Sequence, residues 1–139
     1  MARSRSGTAL THQRLVLDSG ALIAWSRGEK RARGLIARAL QLRTRIVVPA
    51  VVVAETFRGT PRDAPIHRVL KAVSSIAATT VAEARLAGTL LGAAGSSSTI
   101  DALVVAHALL GGGGRILTSD PTDLEHLSAH LPSVVIERV

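Results

Sequence analysis

The chain has 139 residues, with seventeen Lys and Arg against ten Asp and Glu and a net charge of +7, which makes it one domain with a basic surface. It contains no cysteine, which excludes disulfides, thiol chemistry and cysteine-ligated zinc. Its mean hydropathy of +0.31 comes from Ala, Val and Leu in runs of about nine residues, far short of the ~20 that cross a bilayer, so a soluble, cytoplasmic protein without membrane contact is expected.

All but Lys30 and Lys71 of the basic residues are arginine, whose planar fork suits phosphate, and nucleic acid is the obvious polyanionic partner. Trp25 and Phe57 are the only aromatics, which argues against a base-stacking platform.

Residues 1–12 read as a flexible N-terminal tail without the apolar core of a signal peptide, and 13–139 as the folded domain. A strand is expected at Arg14–Leu17, ending on Asp18, and a helix at Ser19–Trp25. The next helix, Gly28–Leu42, carries Leu35, Ile36, Ala39 and Leu42 at helical spacing, with Arg27, Lys30, Arg31, Arg33 and Arg38 for the other side. A strand at Arg45–Val48 precedes a helix at Ala50–Phe57, with Pro49 opening it where a missing N–H costs nothing. RGTPRDAP is a loop by its glycine and prolines, and it presents Arg58 and Arg62 as candidate nucleic-acid-binding residues.

Beyond it the pattern gives a helix at Ile66–Lys71, a strand at Ser75–Ala78 and helices at Val81–Ala93 and Thr99–Leu110, joined by a Gly- and Ser-rich connection. Gly111–Gly114 follows a helix and opens a strand, the reverse of a phosphate-binding loop, and reads as a helix stop. A strand at Arg115–Thr118, a helix at Thr122–Ala129 opened by Pro121, and a strand at Ser133–Ile136 complete the chain. Short β-branched runs alternating with helices predict an α/β fold, a central parallel sheet of about five strands flanked by helices.

Four acids stand at the edges of apolar runs: Asp18 after RLVL, Glu55 after IVVPAVVVA, Asp101 before ALVVA and Asp120 after RILTS. Three have structural explanations. Asp18 reads as an N-cap, Asp120-Pro121-Thr122-Asp123 as cap, first helical position and first-turn acid, and Asp101 stands three residues after a capping Ser98. Glu55 has none: it falls mid-helix in an apolar segment, with Arg58 three positions on as a possible partner. In an open parallel sheet ligands bind outside the carboxyl ends of the strands, where Asp18 and Asp120 both stand. If the helices bearing Glu55 and Asp101 begin over the same edge, four carboxylates meet and would repel unless a hard cation, Mg2+ or Mn2+, neutralised them.

The histidines define no site. His107 lies off the face of Asp101, His67, His126 and His130 lie in polar segments, and His12 belongs to the tail; neither zinc spacing nor a Ser-His-Asp arrangement is present.

LDSGALIAW around Asp18, VVVAET around Glu55, TIDALVVAHA around Asp101 and ILTSDPTDL around Asp120 resemble, in order and spacing, the four acidic motifs of PIN-domain proteins. The compact length resembles the VapC-type toxins of bacterial type II toxin–antitoxin pairs. The resemblance covers about residues 14 to 136, and it implies a metal-dependent endoribonuclease with Asp18, Glu55, Asp101 and Asp120 as its quartet. In that scheme Asp18, Asp101 and Asp120 hold Mg2+ or Mn2+, Glu55 positions or deprotonates the attacking water, and Thr118 and Ser119 orient the carboxylates. Asp123 is a supporting or capping residue. The resemblance further implies an RNA substrate, a cognate antitoxin, a homodimer, and operator DNA bound only through the antitoxin.

Two other readings stand beside this one. A catalytically inactive PIN-like module would bind RNA or protein through the same surface. A phosphoryl-accepting receiver domain is opposed by the lack of an acidic neighbour to Asp18 and of a late lysine.

Overall fold

The computed structural model describes residues 14–139, so the expected tail, with His12, lies outside the described residues. Five strands form where the β-branched runs lie: β1 Arg14–Leu17, β2 Arg45–Pro49, β3 Ser75–Ala77, β4 Gly114–Thr118 and β5 Val134–Arg138. They make one parallel sheet in the order β3-β2-β1-β4-β5. The central strands are apolar at successive positions because both their faces are covered: Leu15, Val16, Leu17, Ile46, Val47, Val48, Ile116 and Leu117 are all buried. Truncating one of them, such as Leu17 or Ile116, to alanine costs about 2–5 kcal/mol.

The helices are α1 Ser19–Ser26, α2 Lys30–Gln41, α3 Ala50–Thr56, α4 Ala64–Leu70, α5 Val81–Ala94, α6 Thr99–Leu110 and α7 Thr122–Leu127, with a 3-10 turn at Pro61–Asp63 before α4. α6 is apolar around its whole circumference because it is enclosed: it packs on α5, α7, β4 and β5. No single helix among the described residues is long and apolar enough to cross a membrane.

Some boundaries differ from the sequence expectation. The buried stripe of α2 is Ala32, Ile36 and Ala39, while Leu42, expected within it, is the C-cap and 55% exposed. Pro49 is the last residue of β2, with extended backbone at ψ 142°, and the helix begins after it. Pro121 likewise precedes α7, whose first intrahelical bond runs from the Glu125 N–H to the Pro121 carbonyl at 2.8 Å. α4 starts at Ala64, two residues ahead of Ile66, and α7 ends at Leu127, two short of Ala129.

Two features of the topology position the site. The strand order runs outward in both directions from β1, so the carboxyl ends of β1 and β4 border the point where the sheet reverses its winding, the usual place for a ligand crevice. α6 returns directly into β4 through the glycine turn, so its first turn lies over that same edge. The turn needs glycine: Gly113 and Gly114 have φ of 91° and 140°, and a Cβ at Gly113 would stand 2.5 Å from the Ser133 carbonyl oxygen.

Candidate active site at the carboxyl edge of the sheet

Asp18 leaves β1 with extended backbone and caps α1, its Oδ1 accepting the Ala21 N–H at 2.9 Å. Its Oδ2 accepts the hydroxyl of Thr118, the last residue of β4, at 2.5 Å. The same Thr118 oxygen accepts the Asp120 N–H at 3.0 Å, so one buried hydroxyl ties both strand-end acids together. Asp18 is 8% exposed. Burial raises its pKa, against the bonds from Thr118, Ala21 and Gly20, and the charge of Glu55 raises it further.

Asp101 is the third residue of α6 and half-buried. The expected capping partnership with Ser98 does not form: the Ser98 hydroxyl donates instead to Asp123 at 3.2 Å, and the Asp101 carboxylate has no hydrogen-bond partner among the described residues. Its pKa rises to about 6, through desolvation first and then the charges of Asp18, Asp123, Glu55 and Asp120. An acid in the first turn of a helix is ordinarily favoured by the dipole. Here desolvation and the fields of four other carboxylates outweigh that preference, so Asp18, Glu55, Asp120 and Asp123 each lie within electrostatic reach of Asp101.

Asp120 is exposed and lightly held, its Oδ1 accepting the Thr122 N–H at 3.4 Å. Glu55 is not mid-helix: Phe57 turns to extended backbone, which makes Glu55 the penultimate residue of a seven-residue helix, and it is exposed. Arg58 does not pair with it, since its guanidinium donates to the carbonyls of Phe57 and Ala54 at 2.7 and 3.3 Å. A carboxylate at a helix C-terminus is opposed by the dipole, so Glu55 stands where helix stability would not put an acid. Ser119, expected to orient carboxylates, instead packs on α1: a Cβ added at Gly20 would collide with its hydroxyl.

The donor set is all carboxylate oxygen, which suits a hard divalent cation. As the side chains stand, no three acids among the described residues are grouped closely enough to grip one ion. Asp18 is held by two hydrogen bonds, whereas Asp120 accepts one long one and Asp101 none among the described residues.

Sequence reasoning missed two arrangements. Asp63 accepts the N–H groups of Arg58, Gly59 and Thr60 at 3.2, 2.9 and 3.3 Å and so shapes the loop bearing Arg58 and Arg62; its place three residues after Thr60 was the available signal. At the opposite edge of the sheet, His107 Nε2 lies 2.6 Å from the Arg14 guanidinium and Nδ1 2.9 Å from Glu83. Arginine can only donate, so Nε2 accepts and Nδ1 carries the proton to Glu83. The residues sharing this network are 93 and 24 positions apart, with no spacing to betray them. Glu83 also accepts from Thr80 and begins α5 as a capping box.

A sequence model of the PIN domain matches residues 15–128. Among solved structures, VapBC2 of Rickettsia felis bound to a DNA fragment from its promoter is similar at TM-score 0.70 and 14% identity, over 91% of this chain and 98% of that one. A toxin–antitoxin complex from Klebsiella pneumoniae follows at TM-score 0.65 and 21% identity, over 87% and 95%. DNA-bound VapBC from Salmonella typhimurium gives 0.63 and 14%, over 90% and 97%. At these identities the likeness is one of fold. No curated protein matches the sequence.

Proposed function

This chain belongs to the PIN-domain family, and on that premise we propose that it is a divalent-metal-dependent endoribonuclease, the toxin of a toxin–antitoxin pair, acting through Asp18, Glu55, Asp101 and Asp120. The observation that carries the reading is the placement of the acids at one sheet edge: Thr118 bonds both Asp18 and Asp120, and Asp101, whose pKa is raised by desolvation and then by Asp18, Asp123, Glu55 and Asp120, accepts no hydrogen bond among the described residues. Carboxylates facing one another across such an edge repel, and a bound divalent cation would turn that repulsion into attraction.

Bound Mg2+ or Mn2+ supplies positive charge at the scissile phosphate and makes water a better nucleophile at neutral pH. The geometry supports the following parts for the chain's own residues. Asp18, held by Thr118 and Ala21, would be the fixed metal ligand, and Asp101 and Asp120 would turn to complete the set. Glu55, exposed and without a structural partner, positions the attacking water and takes its proton as the oxygen bonds to phosphorus. The bond to the leaving ribose oxygen breaks and that oxygen takes a proton from solvent water, giving one phosphate end and one hydroxyl end. Asp123, tied to Ser98, supports the first turn of α6.

The partners proposed are an RNA substrate and a cognate antitoxin, with the toxin a homodimer and operator DNA bound only through the antitoxin. The structural neighbours are toxin–antitoxin complexes, two of them on DNA, which supports this assignment. A second reading, a catalytically inactive PIN-like module that binds RNA or protein, draws on the spread of the acids in the described structure. Incubation with RNA and Mg2+ or Mn2+, with and without EDTA, separates the two. Cleavage that EDTA stops and that Asp18→Asn and Asp101→Asn abolish supports the nuclease; binding without cleavage at any divalent concentration overturns it.

A further inference from the structure

A groove of about 700 Å3 opens between the second half of α1 and the segment leading into α4. Arg27, Arg58 and Arg62 line it, together with the apolar side chains of Ile23 and Ile66. The one carboxylate in the lining, Asp63, is engaged by the backbone N–H groups of its own loop. None of the three arginines forms a salt bridge among the described residues. Arg58 is oriented by the carbonyls of Ala54 and Phe57, which fix its direction without cancelling its charge. The groove is therefore electropositive, in contrast to the acidic crevice.

The groove adjoins the crevice at Thr56, the neighbour of Glu55, and α1, which begins after the cap Asp18, lines it with Ile23, Ser26 and the C-cap Arg27. Eight helical residues span about 12 Å, so Arg27 stands roughly that far along α1 from Asp18. A crevice of carboxylates repels a polyanion, so a phosphodiester chain reaches it only if cations beside it hold the neighbouring phosphates.

Resting on the nuclease reading above, we infer that this groove carries the single strand of RNA flanking the cleaved bond, with Arg27, Arg58 and Arg62 on its phosphates and its bases against Ile23 and Ile66. The volume falls in the range of pockets for single small ligands, enough for part of one strand. The guanidinium fork matches phosphate oxygens in pairs. An aliphatic floor offers bases contact without the stacking that aromatic platforms give, so the groove holds the strand with little sequence preference.

The test is fluorescence anisotropy of a labelled single-stranded RNA on the Asp101→Asn protein in EDTA, across a series of KCl concentrations. Arg27→Gln and Arg62→Gln should each weaken binding about threefold at moderate salt and flatten the log–log salt slope by ~0.7, the value for one phosphate contact on a single strand. Arg85→Gln, on α5 and outside the groove, should change neither. Unchanged affinity and slope in both groove variants overturns the inference. Intact RNA binding combined with weakened binding of polyglutamate also overturns it, in favour of an acidic protein partner. The nuclease reading fails separately: if the wild-type protein does not cut RNA with Mg2+ or Mn2+ while the groove variants still lose affinity, the groove stands and the proposed chemistry falls.

Discussion

Thr118 and Asp18, 100 residues apart in sequence, share a buried hydrogen bond in which the threonine hydroxyl donates to Oδ2 and its oxygen receives the Asp120 N–H. Thr118→Val keeps the shape and removes both roles. The buried Asp18 oxygen then loses its partner, which costs about 1–3 kcal/mol. Cleavage should fall at least tenfold in kcat with little change in KM, because Asp18 loses its orientation while the RNA contacts remain. Thr118→Ser should restore most of the rate. Equal loss in both variants would mean that the methyl, not the hydroxyl, matters.

Asp101→Asn should abolish cleavage and stabilise the fold at neutral pH. With a folded-state pKa near 6 against 3.8 for the free side chain, the folded state binds more protons between those values, so wild-type stability falls as pH rises through that window. Asparagine has no such loss. The difference in Tm between variant and wild type should grow from pH 4 to pH 6 and stay level above it. Mg2+ should raise the Tm of the wild-type protein and leave that of the variant nearly unmoved; an equal rise in both would remove Asp101 from the metal site.

Gly20 lets α1 lie against Ser119, and Gly20→Ala places a methyl where the serine hydroxyl stands. The substitution should destabilise by about 1–3 kcal/mol. Adding Ser119→Gly should recover part of that loss, a coupling that a double-mutant cycle by urea denaturation measures directly. Additive effects would show that the two residues do not meet.

The His107 network predicts a second pH dependence. Burial, and then the Arg14 charge, lower the His107 pKa, against the bond and charge of Glu83, while Arg45 adds positive charge near Arg14. A histidine with a depressed folded-state pKa leaves the unfolded chain binding more protons. Its contribution is therefore complete above about pH 6.5 and is lost as pH falls below that value. His107→Gln should flatten that acid limb of the stability curve; an unchanged limb in urea melts from pH 8 to 5 would contradict the assignment.

The strands, most helices and the strand-end placement of Asp18 and Asp120 were legible because they depend on local pattern: β-branched runs, a capping aspartate, a glycine stop. Glu55 was misread because the length of α3 depends on where Phe57 leaves the helix, and an apolar run does not announce that. Leu42 fits the α2 stripe by spacing but falls past the last turn, into solvent. Arg58 had an acid three positions before it and took backbone carbonyls instead. Asp101 looked like a capping residue, and the absence of that bond is what makes its carboxylate available. The Arg14–His107–Glu83 contact required three elements to be assembled first, which no single segment encodes.

β1 is the middle strand of the sheet, and its partner on one side, β4, is made 100 residues later than the acid it completes, as Leu17 beside Leu117 shows. Parallel pairing over such a separation is slow to close. A nascent chain therefore carries Asp18 long before Thr118 emerges to donate to it: the acid is made early and oriented late. The same topology that builds the crevice delays its assembly until β4 has been synthesised.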